Sequence, residues 1–149
     1  MSSVAWQVAP FDALGGREVY ALLQLRQRVF VVEQRCAFLD ADGIDPGCLH
    51  VLGWRGGDLV ATARVVPAGR AHAEVSIGRV ATRARGEGIG RALMIESMNA
   101  AYTAHGDVPL YLWAQAYLER FYRSLGFEVS GPEGEEDGIP HLPMLRARR

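Results

Sequence analysis

The feature that most constrains this chain is a glycine-rich turn within residues 80–93, which read Val-Ala-Thr-Arg-Ala-Arg-Gly-Glu-Gly-Ile-Gly-Arg-Ala-Leu. The pattern predicts a strand end, a tight turn and a helix start in immediate succession. Glycine lets the backbone turn sharply and approach a ligand without a Cβ in the way. The first amides of the helix point outward unpaired, and the helix dipole favours an anion there. Because Arg85 and Arg91 add positive charge, we expect this turn to bind a pyrophosphate.

Other interpretations of the turn fit less well. A nucleotide P-loop needs a lysine after its last glycine, and the sequence contains no lysine. A dinucleotide-binding fingerprint has the spacing Gly-x-Gly-x-x-Gly and an acidic residue that closes the next strand. Here the glycines are Gly86, Gly88 and Gly90, and Asp107 precedes the next strand. A glycine-rich turn that binds no ligand is the structural alternative.

Hydrophobic periodicity predicts the order β-α-β-β-β-α-β-α-β-β, an α/β chain of the α+β type with a mixed central sheet flanked by helices. Three consecutive strands without a helix between them favour an antiparallel meander. We expect one domain over residues 1–149, because no repeat or linker divides the chain. The predicted strands are residues 4–9, 50–55, 59–66, 73–80, 108–114, 127–129 and 140–146, and the predicted helices are residues 17–34, 88–105 and 116–125.

Composition excludes several classes of partner. The formal net charge is -1, so the molecule as a whole is not drawn to nucleic acid or to an anionic membrane. No apolar run approaches the roughly 18 residues of a membrane span. The first ten residues lack the pattern of a signal peptide, and we expect a cytoplasmic protein. Cys36 and Cys48 have no second pair to complete a zinc site, so we expect two free thiols and no metal.

Two motifs resemble a known superfamily. Arg85-x-x-Gly88-x-Gly90 is similar to the Arg/Gln-x-x-Gly-x-Gly/Ala motif of the GNAT acetyltransferases. Gln115 to Phe127 resembles their Asn-x-x-Ala-x-x-x-Tyr-x-x-x-Gly-Phe segment, from which Gln115 and Leu118 depart. A narrower resemblance, to the ElaA family of GNAT proteins, rests on residues 25–34, 40–43, 77–80 and 135–141. The resemblance implies the GNAT acyl-CoA N-acyltransferase fold and direct acetyl transfer from acetyl-CoA to a primary amine of a small molecule or peptide.

The resemblance also implies roles for individual residues. The strand from Ile77 to Val80 is expected to receive the pantetheine arm, and a backbone amide near Val80 to polarise the acyl carbonyl. Tyr122 matches the tyrosine that protonates the departing thiolate, a task that suits a phenol with a reference pKa of about 10. The residues expected to contact acetyl-CoA are Ile77, Val80, Ala81, Thr82, Arg85, Gly86, Gly88, Ile89, Gly90, Arg91, Gln115 and Tyr122.

The general base and the acceptor are less constrained. Glu74, Glu33 and His141 are candidates for the base. Acidic residues in the segments that frame the acceptor in this fold favour a cationic amine, although acid-rich loops are also commonly just solvated. The acids concerned are Glu33, Asp40, Asp42, Asp45, Glu135, Glu136 and Asp137, of which Glu33, Asp40, Asp42 and Glu136 are the predicted substrate-binding residues.

Two rival functions stay open from the sequence. A domain that binds acyl-CoA without turnover would keep the glycine turn and lose the chemistry at Tyr122. An enzyme on the same scaffold could instead transfer a different acyl group. A homodimer formed through sheet edges is compatible with the sequence, but no feature of the chain demands it.

Overall fold

Alternating and β-branched segments form an eight-stranded sheet within the part of the chain that the computed structural model describes, residues 3–83 and 86–148. The strands are β1 (Ala5–Pro10), β2 (Leu49–Arg55), β3 (Asp58–Val66), β4 (Val75–Thr82), β5 (Leu110–Gln115), β6 (Glu128–Val129), β7 (Gly134–Glu136) and β8 (Ile139–Arg146). The helices are α1 (Gly16–Arg26), α2 (Ile89–His105) and α3 (Glu119–Arg123).

The sheet order is β1-β2-β3-β4-β5-β8-β6, with β7 paired to β8. Strands β2 to β4 form the predicted antiparallel meander. The next neighbours, β4 and β5, are parallel, and their register covers only the pairs Val75↔Leu110 and Ser76↔Tyr111. Beyond those two pairs the strands are no longer bonded to each other. The sheet is therefore split along its middle, toward the carboxyl ends of β4 and β5.

The two longer helices cover opposite faces of the sheet. On one face, Leu22 and Leu25 of α1 pack against Leu52 and Ala81. On the other, the apolar side of α2, including Leu93, belongs to the larger core cluster. Burying each such aliphatic side chain contributes roughly 1.5–3 kcal/mol. No helix within residues 3–83 and 86–148 is long and apolar enough to cross a membrane.

Three segments differ from the sequence-based expectation. The predicted helix over residues 17–34 is α-helical only to Arg26 and continues as a π-helical segment, Gln27–Glu33. The predicted helix over residues 116–125 begins as a 3₁₀ turn, Ala116–Leu118, before α3. It ends before Gly126, whose φ of 94° makes it the expected left-handed terminator. Strand β7 was not predicted. It joins β8 through Asp137-Gly138, a residue pair typical of tight hairpin turns, and these residues have φ of 51° and 79°.

Arg26 stands at the centre of a buried ion-pair network beneath α1. Its side chain is 1% exposed. Nε donates to Oδ2 of Asp40 at 2.8 Å, and Nη1 and Nη2 donate to the two carboxylate oxygens of Asp45 at 2.8 and 3.1 Å. The network therefore ties α1 to the loop that precedes β2.

Arg64 of β3 extends this network. It makes a bidentate pair with Asp42, with Nη1 2.9 Å from Oδ1 and Nη2 2.7 Å from Oδ2, and Nη1 also donates to Asp45. The hydrogen bonds from Arg64 are the main reason that the pKa of Asp42 lies well below its usual range. Burial opposes ionisation of Asp45, but Arg26 and Arg64 outweigh it, and the pKa of that carboxyl is also lowered.

We predict that Arg26→Ala lowers the free energy of unfolding by about 3–5 kcal/mol, because it leaves buried carboxylates without a partner. Arg17→Ala removes an exposed arginine from the same helix and should change it by less than about 0.5 kcal/mol. Urea unfolding at pH 7 measures both values. Equal stability of the two variants would contradict this account of the network.

Candidate active site

A cavity of about 1220 Å³ opens where β4 and β5 separate. Its walls include residues of β4, among them Ile77 and Val80, and residues of β5, among them Ala114 and Gln115. Because the strands are unpaired there, their facing edges are available to a ligand that enters the split. The cavity is large enough to bring two ligands together across the sheet.

One end of the cavity is formed by the glycine-rich turn. Gly86 and Gly88 have φ of 77° and 74°, and a Cβ added at either position would meet nothing within 4 Å. Helix α2 begins directly after Gly88, so its first amides lie at this end of the cavity. Arg91 also lines the cavity, and its Nη1 donates to Oγ of Ser124 at 3.0 Å. The predicted contact Arg85 lies outside the described residues.

Tyr122 of α3 lines the same cavity and is only 5% exposed. Its ring packs edge-on against Phe121 and Phe127, at centroid distances of 5.1 and 6.3 Å. Burial raises the pKa of Tyr122 to about 12. The phenol therefore keeps its proton throughout the neutral pH range.

Strand β5 presents a row of polar and aromatic side chains on the face of the sheet that points away from α2. Leu110, Leu112 and Ala114 are buried, whereas the alternate residues Tyr111, Trp113 and Gln115 are partly exposed and line the cavity. Leu112 and Ala114 also contribute to the cavity wall. The ring of His72 lies 4.3 Å from that of Tyr111, and the ring of His141 stacks 5.4 Å from that of Trp113. Four aromatic rings thus border this side of the cavity.

His141 of β8 is fixed in one orientation. Its Nδ1 lies 2.8 Å from the backbone oxygen of Ile139. Because a carbonyl oxygen can only accept, Nδ1 of the neutral ring carries the hydrogen and Nε2 carries the lone pair. Strand β7 lies over the Trp113 ring on which His141 stacks, since a Cβ at Gly134 would come within 2.7 Å of that ring.

The acidic residues predicted to face a substrate have different surroundings. Asp40 is 5% exposed and paired with Arg26 and Arg79, so its charge is already neutralised inside the fold. Asp42 lines the cavity, but Arg64 holds its carboxylate. Glu136 of β7 is exposed and lines the cavity.

Other predicted positions lie away from the cavity wall. Glu33 ends the π-helical segment, and Glu74 precedes β4; among the described residues neither lines the cavity. The side chain of Ala81 is packed into the core against α1, so only its backbone is available to a cofactor.

Gln115 lines the cavity and accepts a hydrogen bond from Nε2 of Gln34 at 3.3 Å. The structure brings together in one cavity Ile77, Val80, Thr82, Gly86, Gly88, Ile89, Gly90, Arg91, Gln115, Tyr122, Asp42, Glu136 and His141.

Sequence reasoning did not single out His72, Tyr111 and Trp113. The alternation of β5 carried a signal for the two aromatic residues, because it separates a buried face from a partly exposed face. His72 lies in the turn before β4. No local sequence pattern predicts its contact with Tyr111, because the two residues are far apart in the chain.

Comparison with known proteins agrees with this geometry. Residues 41–147 match the family described as the acetyltransferase (GNAT) domain. Protein ElaA of Escherichia coli is 43% identical over 147 residues, which cover 96% of each chain. The chain belongs to the GNAT superfamily and, within it, to the ElaA family. It is therefore an acyl-CoA-dependent acyltransferase by family, and the resemblance drawn from the sequence is confirmed.

Solved structures support the same GNAT assignment. The crystal structure of Escherichia coli ElaA is 42% identical and superposes with a TM-score of 0.90, covering 96% of this chain and 99% of that one. An acyl-CoA N-acyltransferase from Pseudomonas aeruginosa is 40% identical, with a TM-score of 0.91 and the same coverage. The predicted GNAT fold, a mixed sheet flanked by helices, is confirmed.

The residues of this GNAT site fit coenzyme A. The turn offers glycine backbone with open space where a Cβ would stand, as close approach of a pyrophosphate requires. The unpaired edges of β4 and β5 offer backbone groups to the amides of a pantetheine arm. The buried, protonated phenol of Tyr122 lines the same cavity.

We predict that Gly88→Ala lowers the free energy of unfolding by about 1–2 kcal/mol, because alanine is strained at the left-handed φ of this position. Gly90→Ala, two residues on and inside α2, should leave stability unchanged or raise it by up to about 1 kcal/mol. Thermal and urea unfolding compare the pair. A loss of equal size in both variants would contradict the backbone assignment of the turn.

Proposed function

We propose that this protein transfers an acetyl group from acetyl-CoA directly to a primary amine. The observation that carries the proposal is the cavity in the split sheet, which has the glycine turn and Tyr122 on one side and His141 on the other. Cys36 and Cys48 are both free, and free thiols support a cytoplasmic site of action.

Acetyl-CoA supplies a thioester whose acyl carbon is open to attack by a neutral amine. The glycine turn, Ile89 and Arg91 would hold its pyrophosphate. The edge of β4 from Ile77 to Thr82 would receive its pantetheine arm, with Gln115 on the facing strand. A backbone amide near Val80 would donate to the acyl oxygen, and preorganised donors of this kind supply a large share of catalysis in acyl transfer.

Two side chains would move the protons. Nε2 of His141 accepts a proton from the acceptor ammonium, which frees the nitrogen lone pair for attack. Oη of Tyr122 gives its proton to the departing sulfur as the C–S bond breaks. The second proton, which the nitrogen loses once the C–N bond has formed, restores Tyr122. One proton is released overall, from His141 to solvent.

His141 is preferred to Glu74 as the base because it lines the cavity and its hydrogen bond to Ile139 leaves Nε2 with the lone pair. Burial lowers the pKa of His72, and the charge of Glu74 opposes that shift. Burial raises the pKa of Tyr111, and the charge of Glu74 adds to that shift, so Glu74 lies close to both rings. It therefore belongs to the electrostatic surroundings of the acceptor and not to the cavity wall.

The acceptor side favours a cationic amine. The ring faces of Tyr and Trp attract ammonium groups, and Tyr111 and Trp113 border this side of the cavity, beside His72 and His141. Glu136 adds a carboxylate at the same wall. Polyamines and lysine side chains have this chemistry, and they are the acceptors to examine first.

We expect wild-type protein to bind acetyl-CoA and to acetylate spermidine. Tyr122→Phe and His141→Gln should each lower kcat by about 100-fold or more, as general acid and base catalysis implies. Neither should change acetyl-CoA affinity, which calorimetry measures. Glu74→Gln is the matched control and should retain most of kcat. Full activity in Tyr122→Phe would contradict its role as the acid, and no binding by wild-type protein would contradict the proposed function as a whole.

We also expect Glu136→Gln to raise KM for spermidine about fivefold, because a pair of charges about 4 Å apart in water-like surroundings is worth about 1 kcal/mol. Glu135→Gln changes the neighbouring carboxylate, which does not line the cavity in the described structure, and should leave KM unchanged. Steady-state kinetics at low ionic strength compare the two variants. An equal rise in KM in both variants, or no rise in either, would argue against a cationic acceptor at this wall.

A further inference from the structure

Strand β4 departs from regular pairing at Arg79 and Val80. Thr62 of β3 pairs with Ala81, but Arg64, two residues further along β3, pairs with Gly78, three residues back along β4. One extra residue therefore stands in β4 at this point, which is a β-bulge. The bulge lies on the wall of the cavity, where Arg79 and Val80 are both lining residues.

The backbone of Arg79 is in an unusual conformation. Its φ is 49°, the left-handed region that residues with a Cβ rarely adopt. Such a conformation persists only where the surrounding structure holds it in place. Something beyond the strand itself must therefore fix Arg79.

The side chain of Arg79 is held by two carboxylates of the loop between α1 and β2. Its Nε lies 2.8 Å from Oδ1 of Asp40, and its Nη2 lies 3.3 Å from Oδ2 of Asp42. Nη2 also donates to the backbone oxygen of Asp40 at 3.1 Å. The guanidinium carbon lies 5.6 Å from the centre of the Phe38 ring. Arg79 is thus clamped from several directions.

These carboxylates are themselves anchored. Arg26 of α1 donates to Asp40, and Arg64 of β3 makes the bidentate pair with Asp42. Both anchors are buried, with side-chain exposures of 1% and 5%. The position of the Arg79 side chain is therefore set by the core of the protein and not by a mobile surface pair.

We propose that Arg79 is a positioning residue for acyl transfer, which holds the β4 bulge in the shape that aims the backbone near Val80 at the acyl group. The proposal rests on the proposed function, because the bulge matters for catalysis only if β4 receives an acyl-CoA. Asp40 and Asp42 then serve the active site through Arg79, without touching the substrate.

The test compares Arg79→Ala with Arg79→Gly, using acetyl-CoA and spermidine. Both variants lose the clamp, but only glycine adopts a positive φ without strain. Arg79→Ala should lose about tenfold or more in kcat while KM for acetyl-CoA changes by less than about twofold, as expected when an interaction specific to the transition state is lost. Arg79→Gly should recover part of that loss. Arg17→Ala is the control for removing one positive charge.

Amide hydrogen exchange of the free protein gives a readout that needs no turnover. In Arg79→Ala the peptide spanning residues 75–83 should exchange about tenfold faster than in wild-type protein, while β2 is unchanged. Wild-type kcat in Arg79→Ala, or a glycine variant no better than the alanine variant, would overturn the positioning role. Unchanged amide exchange of residues 75–83 in Arg79→Ala would show that the Arg79 side chain does not hold the bulge in place. An inactive wild-type protein with faster exchange in Arg79→Ala would contradict the proposed function and support the clamp alone.

Discussion

The structure depends on a network of three arginines and three aspartates beneath α1. Burying any one of these charges alone would be strongly unfavourable, but Arg26, Arg64 and Arg79 each meet carboxylates at ion-pair distance. The network joins α1, the loop before β2, and strands β3 and β4. Its last member reaches the β4 bulge, so the same interactions that fix the loop also shape one wall of the cavity in the split sheet.

Much of the fold could be predicted from the sequence, because the signals are local. Gly56-Gly57 marked the β2–β3 hairpin, and Gly126 marked the end of α3. Strand β7 was missed because Gly134, Glu135 and Glu136 do not resemble a strand; pairing with β8 imposes its conformation. The π-helical segment after Arg26 was missed because its apolar spacing still resembles an α-helix.

The candidate site was less accessible from the sequence. The glycine turn and Tyr122 carry sequence motifs, and the structure brings both to one cavity. Asp40 and Asp42 read as available acids because their arginine partners lie 14 to 39 residues away in the chain. Long-range pairing leaves no periodic trace. The ring contacts among His72, Tyr111, Trp113 and His141 were not predicted for the same reason, since the fold alone brings these residues together.

The central claim is that the split between β4 and β5 is the acyl-CoA site, with Tyr122 as the acid beside the thioester sulfur. A crystal structure with bound coenzyme A tests it most directly. The account predicts the pyrophosphate on the glycine turn, the pantetheine arm between β4 and β5, and the sulfur within about 3–4 Å of the Tyr122 oxygen, as hydrogen bonding to sulfur requires. Coenzyme A bound elsewhere, or a sulfur remote from Tyr122, would contradict it.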